Sequence, residues 1–124
     1  MPETRKVAVI GSGTMGPGMA ATFARNGFET SIYDIKQEQL DKAKGAVDFV
    51  YTTLTNGGFM TAEDADAGRS RITYTTDLAG AVEGAEFVVE TVPERREIKQ
   101  QVYQEIESLG GDLLVIATKN SGHP

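Results

Sequence analysis

The feature that most restricts the fold lies near the start of the chain, where the apolar run Val7-Ala8-Val9-Ile10 breaks into Gly11-Ser12-Gly13-Thr14-Met15-Gly16 and continues into a helix-like stretch. That order reads as a strand, a tight turn and a helix. Each glycine answers a separate steric demand. Gly11 lets the chain leave the strand sharply, Gly13 leaves room for backbone N–H groups to approach a pyrophosphate, and Gly16 allows the helix to lie close to the sheet. Pro17 falls in the first helical turn, where its missing N–H costs little. A helix N-terminus aimed at phosphates binds them through its free N–H groups without basic side chains.

GxGxxG alone is a weak signal, because glycine-rich turns also serve as ordinary loops. It gains weight from Asp34, which closes the strand-like Thr30-Ser31-Ile32-Tyr33 about 20 residues beyond the first glycine, the separation expected of a dinucleotide-binding unit. A carboxylate there can accept hydrogen bonds from the ribose hydroxyls of the adenosine half and would repel a 2′-phosphate, which favours NAD over NADP. The competing reading makes Asp34 a cap for a helix starting at Ile35.

A chain of 124 residues amounts to one domain, long enough to bury a core but short for a two-domain dehydrogenase. Twelve Lys and Arg against eighteen Asp and Glu give a net charge of −6, which argues against nucleic acid or an anionic membrane surface as partner. With no cysteine, disulfides, thiol catalysis and thiolate metal sites are excluded; with one histidine, a multi-His metal centre is too, and no metal is expected. The apolar run before Gly11 is too short for a signal-peptide core, and no stretch approaches the ~20 apolar residues of a membrane span. A soluble, cytoplasmic protein is the expectation.

Further along, strand-like and helix-like segments alternate without repeats. Met15 to Asn26 reads as the first helix, with Gly27 placed to cap it. Leu40, Ala43, Val47, Val50 and Leu54 recur at helical spacing between Gln37 and Leu54, ended by Asn56-Gly57-Gly58. Thr61 reads as the cap of a short helix, Arg71 to Thr75 as a short strand, and Asp77 to Val82 as a helical turn or two. Glu86 to Val92 is a strand with polar ends, the segment after Pro93 runs helically through Ile98, Val102, Ile106 and Leu109 to Gly110-Gly111, and Leu113 to Ala117 is a final apolar strand. Strands apolar on both faces suit a parallel sheet covered by helices. The expected fold is α/β, a doubly wound Rossmann-type, mostly parallel sheet with helices on both faces.

Taken together, Val7 to Ala20, Tyr33-Asp34, Leu78 to Glu94, Lys99 and Ile116 to Ser121 make the chain resemble the L-3-hydroxyacyl-CoA dehydrogenases and their relatives among the lambda-crystallin-like L-gulonate and carnitine dehydrogenases. Val92-Pro93-Glu94 followed by Lys99 is a far more specific match than the glycine turn. The resemblance implies that residues 1–124 are the family's N-terminal dinucleotide-binding domain, truncated before its helical C-terminal domain. It implies NAD as cofactor, held by Gly11, Ser12, Gly13, Thr14, Met15, Gly16 and Asp34, with Val92, Glu94 and Lys99 toward the nicotinamide. Ser121 matches the family's substrate-contacting serine and is the one catalytic candidate. Read without the resemblance, Glu94 is first-turn charge of a helix and Lys99 part of a solvated face.

The resemblance further implies hydride transfer between C3 of a 3-hydroxyacyl-CoA and NAD, in fatty acid metabolism, with a full-length homodimer. The general-base histidine lies about twenty residues beyond the serine in that family, outside this chain, so the 124 residues alone are expected to be inactive; His123 reads as a terminal residue. Two departures stand out. Thr118-Lys119-Asn120-Ser121 replaces the family's Ser-Asn-Thr-Ser, putting Lys119 where an asparagine faces the nicotinamide. Asn56-Gly57-Gly58-Phe59-Met60 has no basic residue where acyl-CoA members often carry lysines. Alternatives therefore stay open: a dehydrogenase of a small 3-hydroxy acid of L-gulonate, carnitine or β-hydroxyacid type, or a non-catalytic nucleotide-binding protein. The β-hydroxyacid group usually has Asn-Arg where this chain has Asp34-Ile35.

Overall fold

The computed structural model describes residues 5–11 and 15–90 and the backbone of residues 114–117. In chain order the elements are β1 (Lys6–Ile10), α1 (Gly16–Arg25), β2 (Glu29–Tyr33), α2 (Gln37–Asn56), α3 (Ala62–Ser70), β3 (Ile72–Thr75), α4 (Leu78–Val82), β4 (Phe87–Glu90) and β5 (Leu114–Ala117). The five strands form one sheet in the order β3-β2-β1-β4-β5, and every neighbouring pair is parallel. Successive parallel strands must be joined by crossovers, and here α1, then α2 with α3, and then α4 supply them.

The central strand shows why a continuous apolar run was needed. Alternate side chains of a strand point to opposite faces. Val7 and Val9 join a core with Ala20, Ala21 and Ala24 of α1 and Leu40, Val47 and Tyr51 of α2. Ala8 and Ile10 join a second core with Leu78 and Val82 of α4, Ala85 and Val88. Val7, Ala8, Val9 and Ile10 are all completely buried. The sheet is thus covered on both faces, as expected of a doubly wound architecture.

Local signals end the elements where the sequence places them. After α1, Gly27 takes φ +95°, its N–H donates to the Ala24 carbonyl and the Phe28 N–H to that of Phe23. This is a Schellman closure, and the apolar contact that accompanies such closures is present as Phe23 and Phe28 rings edge to face at 5.7 Å. The Thr61 hydroxyl accepts from the Asp64 N–H and caps α3. α2 runs to Asn56, two residues beyond the last apolar position of its stripe.

The helical layer is pinned at one buried point. Tyr51 of α2, fully buried, donates its hydroxyl to the Ala21 carbonyl of α1 at 2.7 Å. Gly68 of α3 lies directly against the same ring, where a Cβ would stand 2.6 Å from the hydroxyl oxygen.

Candidate dinucleotide-binding site

In this strand order the chain moves outward from β1 through β2 to β3, then returns to the other side of β1 for β4. The crevice outside the carboxyl ends of β1 and β4 is the switch point at which such sheets bind ligands. Register puts Tyr33, Ile10 and Glu90 in one row along that edge. The residues that follow, Gly11 and Asp34, therefore emerge side by side.

Gly11 has φ +98° and donates its N–H to the Tyr33 carbonyl at 2.8 Å. A residue with a Cβ would be strained in this conformation, so the first glycine of the motif is required by the backbone itself. Met15 occupies the N-cap position of α1, followed by buried Gly16 and Pro17. No side chain caps this helix, and no acidic residue stands in its first turn. Its free N–H groups and positive dipole end thus meet no acidic side chain of that turn, which suits a phosphate.

Asp34 is half-buried just past the end of β2. Its N–H donates to the Thr75 carbonyl at 3.3 Å, and its Oδ1 accepts from the Lys36 N–H at 3.1 Å. This Asx turn orients the carboxylate over the sheet edge. α2 begins at Gln37 with Lys36 as its N-cap, so Asp34 is not the cap of a helix starting at Ile35. The arrangement fits a dinucleotide, with a left-handed glycine leaving β1, a helix end for phosphates and a carboxylate for ribose hydroxyls.

Of the residues singled out in the sequence, the structure gathers Gly11, Met15, Gly16 and Asp34 around this edge. Ser12, Gly13, Thr14, Val92, Glu94, Lys99 and Ser121 lie outside the described residues, as do Lys119 and His123. Glu90, read from sequence only as a polar strand end, is completely buried at the crevice floor beside Ile10. The signal was its place inside an otherwise apolar run. Among the described residues no group of three or more acidic or histidine side chains could hold a metal ion, and no described helix is long and apolar enough to cross a membrane.

Residues 6–124 match the family model described as 3-hydroxyacyl-CoA dehydrogenase, NAD binding domain. The chain is 38% identical over 120 residues to the 5-formyl-3-hydroxy-2-methylpyridine 4-carboxylate 5-dehydrogenase of Mesorhizobium japonicum, covering 97% of this chain and 38% of that protein. It is 32% identical to the L-carnitine dehydrogenase of Streptomyces coelicolor, over 99% of this chain and 38% of that one. The crystal structure of 3-hydroxybutyryl-CoA dehydrogenase from Escherichia coli K12 superposes with a TM-score of 0.84 at 29% identity, over 95% of this chain and 25% of that one. The chain thus spans well under half the length of these relatives. With its parallel sheet, its glycine turn and its strand-end carboxylate, it belongs to the family of 3-hydroxyacyl-CoA dehydrogenase NAD-binding domains, and its cofactor is NAD.

Proposed function

We propose that residues 1–124 form the cofactor-binding domain of an NAD-dependent dehydrogenase that oxidises the 3-hydroxyl of a 3-hydroxyacyl-CoA. The observation that carries this reading is the juxtaposition of Gly11, in its left-handed conformation, with the oriented Asp34 carboxylate at the sheet's switch point. Gly11 to Gly16 would cradle the pyrophosphate, with Ser12, Gly13 and Thr14 supplying backbone N–H groups, and Asp34 would accept from the adenosine ribose hydroxyls. Val92, Glu94 and Lys99 follow β4, whose carboxyl end opens on the same crevice, and are assigned to the nicotinamide side. Ser121, beyond β5, is assigned to the substrate hydroxyl. Bound NAD supplies the carbon that accepts the hydride.

The cofactor assignment has a direct test. NADH should bind at least ten times tighter than NADPH by titration calorimetry, a difference of about 1.4 kcal/mol, because a 2′-phosphate would meet the Asp34 carboxylate. Asp34→Ala should erase the preference. Equal or tighter binding of NADPH to the unaltered chain would overturn the role given to Asp34.

A second substrate reading is a compact carboxylate without CoA. It draws on the 38% identity to a pyridine-carboxylate dehydrogenase and on Asn56 to Met60, which carry no basic residue of their own. The two separate by equilibrium binding to the NAD-loaded chain. If CoA is recognised, 3-hydroxybutyryl-CoA binds roughly tenfold or more tighter than free 3-hydroxybutyrate, through charge-assisted contacts to its phosphates; equal binding favours the compact carboxylate.

A further inference from the structure

We infer that a cleft at the opposite, amino-terminal edge of the sheet is a binding site for a small oxyanion, a phosphate group above all, separate from the dinucleotide crevice. The cleft has a volume of about 210 Å³ and is lined by Arg25, Phe59, Met60, Asp64, Ala67 and Arg71. Arg25 is the last residue of α1, and Arg71 immediately precedes β3. Since β2 and β3 are parallel, both arginines sit at the amino ends of the strands, whereas Gly11 and Asp34 follow the carboxyl ends. Strands of four or five residues at about 3.3 Å each put the two edges roughly 15 Å apart.

The two guanidiniums are fixed but not neutralised. Arg25 Nη2 donates to the Phe59 carbonyl at 3.3 Å, and Arg71 Nη1 donates to the Ala24 carbonyl at 2.8 Å. Each bond uses one of five N–H donors and holds the planar fork in place. Among the described residues, the ion pairs are Arg5 with Glu86 and Arg69 with Asp48 and Asp66; Arg25 and Arg71 have no carboxylate within ion-pair distance. Acidic groups are not scarce in a chain with eighteen of them against twelve basic ones. Neighbouring Arg69 takes two carboxylates while the arginines of the cleft take none.

Electrostatic reach supports the clustering. Burial raises the pKa of the Tyr51 hydroxyl, and the positive charges of Arg71, Arg69 and Arg25 oppose that rise. Two like charges facing one cavity repel, and a doubly charged oxyanion between them removes the repulsion while accepting several charge-assisted hydrogen bonds. The forks are already held by backbone carbonyls, so little side-chain freedom remains to be lost on binding. Asp64 on the wall repels the anion and sets a limit on affinity. Phe59, 72% exposed at the rim, offers an apolar surface to an organic phosphate ester.

The test is an NMR titration of the ¹⁵N-labelled chain, first saturated with NADH so that its dinucleotide turn is filled. Inorganic phosphate is then added against chloride at constant ionic strength. Saturable shifts are expected at the Arg25 and Arg71 Nε–H groups and at the amides of Ala24 to Asn26, Phe59, Met60 and Ala67 to Arg71. Arg25→Gln and Arg71→Gln should each weaken phosphate about fivefold or more, and Asp64→Asn should strengthen it about threefold. If Arg71→Gln fails to fold, Arg25→Gln and Asp64→Asn decide, because both side chains are exposed. Shifts confined to Gly11 to Gly16, shifts indifferent to Arg25→Gln and Asp64→Asn, or no saturation would each overturn the site.

Discussion

Gly13→Val is expected to weaken NADH binding at least a hundredfold, about 2.8 kcal/mol, while leaving the fold intact. The middle glycine of the turn is the one beside which the pyrophosphate must pass, and an isopropyl group there occupies the ligand's space. Gly11 takes φ +98° and donates its N–H to the Tyr33 carbonyl, so a side chain there would strain the backbone. A substitution at Gly11 would therefore confound folding with binding, and Gly13 is the cleaner probe. NADH fluorescence titration reads the affinity, and far-UV circular dichroism reads the fold. An unchanged titration with a native spectrum would mean that the turn only connects β1 to α1.

The parts of this structure that were readable in the sequence are those set by neighbours along the chain. The apolar run of β1 announces burial on both faces, and that is where Val7 and Val9 on one side and Ala8 and Ile10 on the other are found. Gly27 and Thr61 mark helix ends because the bonds they make are local. Features made by tertiary contact were not readable. Nothing in a pattern of residues shows that the Tyr51 hydroxyl finds the Ala21 carbonyl, that Glu90 is wholly enclosed, or that Arg25 and Arg71 converge on one cleft. Asp34 falls between these cases. Its place after the second strand is visible in the sequence, but whether it caps a helix or presents a carboxylate depends on α2 starting at Gln37 and on the Lys36 N–H bond. The 38%-identical relative is a pyridine-carboxylate dehydrogenase and the 32%-identical one an L-carnitine dehydrogenase, a spread of substrates that is reasonable for a domain whose shared task is to hold NAD.

The opposite pattern, stability lost with binding kept, is expected at Tyr51. Tyr51→Ala removes a wholly buried ring from between α1, α2 and α3, and large-to-small changes of this kind cost about 3–5 kcal/mol. For a domain of this size that is a fall in Tm of roughly 10 °C or more. Tyr51→Phe keeps the ring and loses only the bond to Ala21, whose carbonyl still receives its helical N–H; the expected loss is about 1 kcal/mol. The hydroxyl also sets the tolerance of Gly68, where an added Cβ would meet it at 2.6 Å but the next ring atom at 2.9 Å. Gly68→Ala should therefore cost less in the Tyr51→Phe background than in the native chain, a coupling that a double-mutant cycle measures. Because the dinucleotide crevice lies at the carboxyl ends of the strands, NADH affinity well below Tm should change less than threefold in Tyr51→Phe. Simple additivity of the Tyr51 and Gly68 changes would show that the two side chains do not compete for the same space.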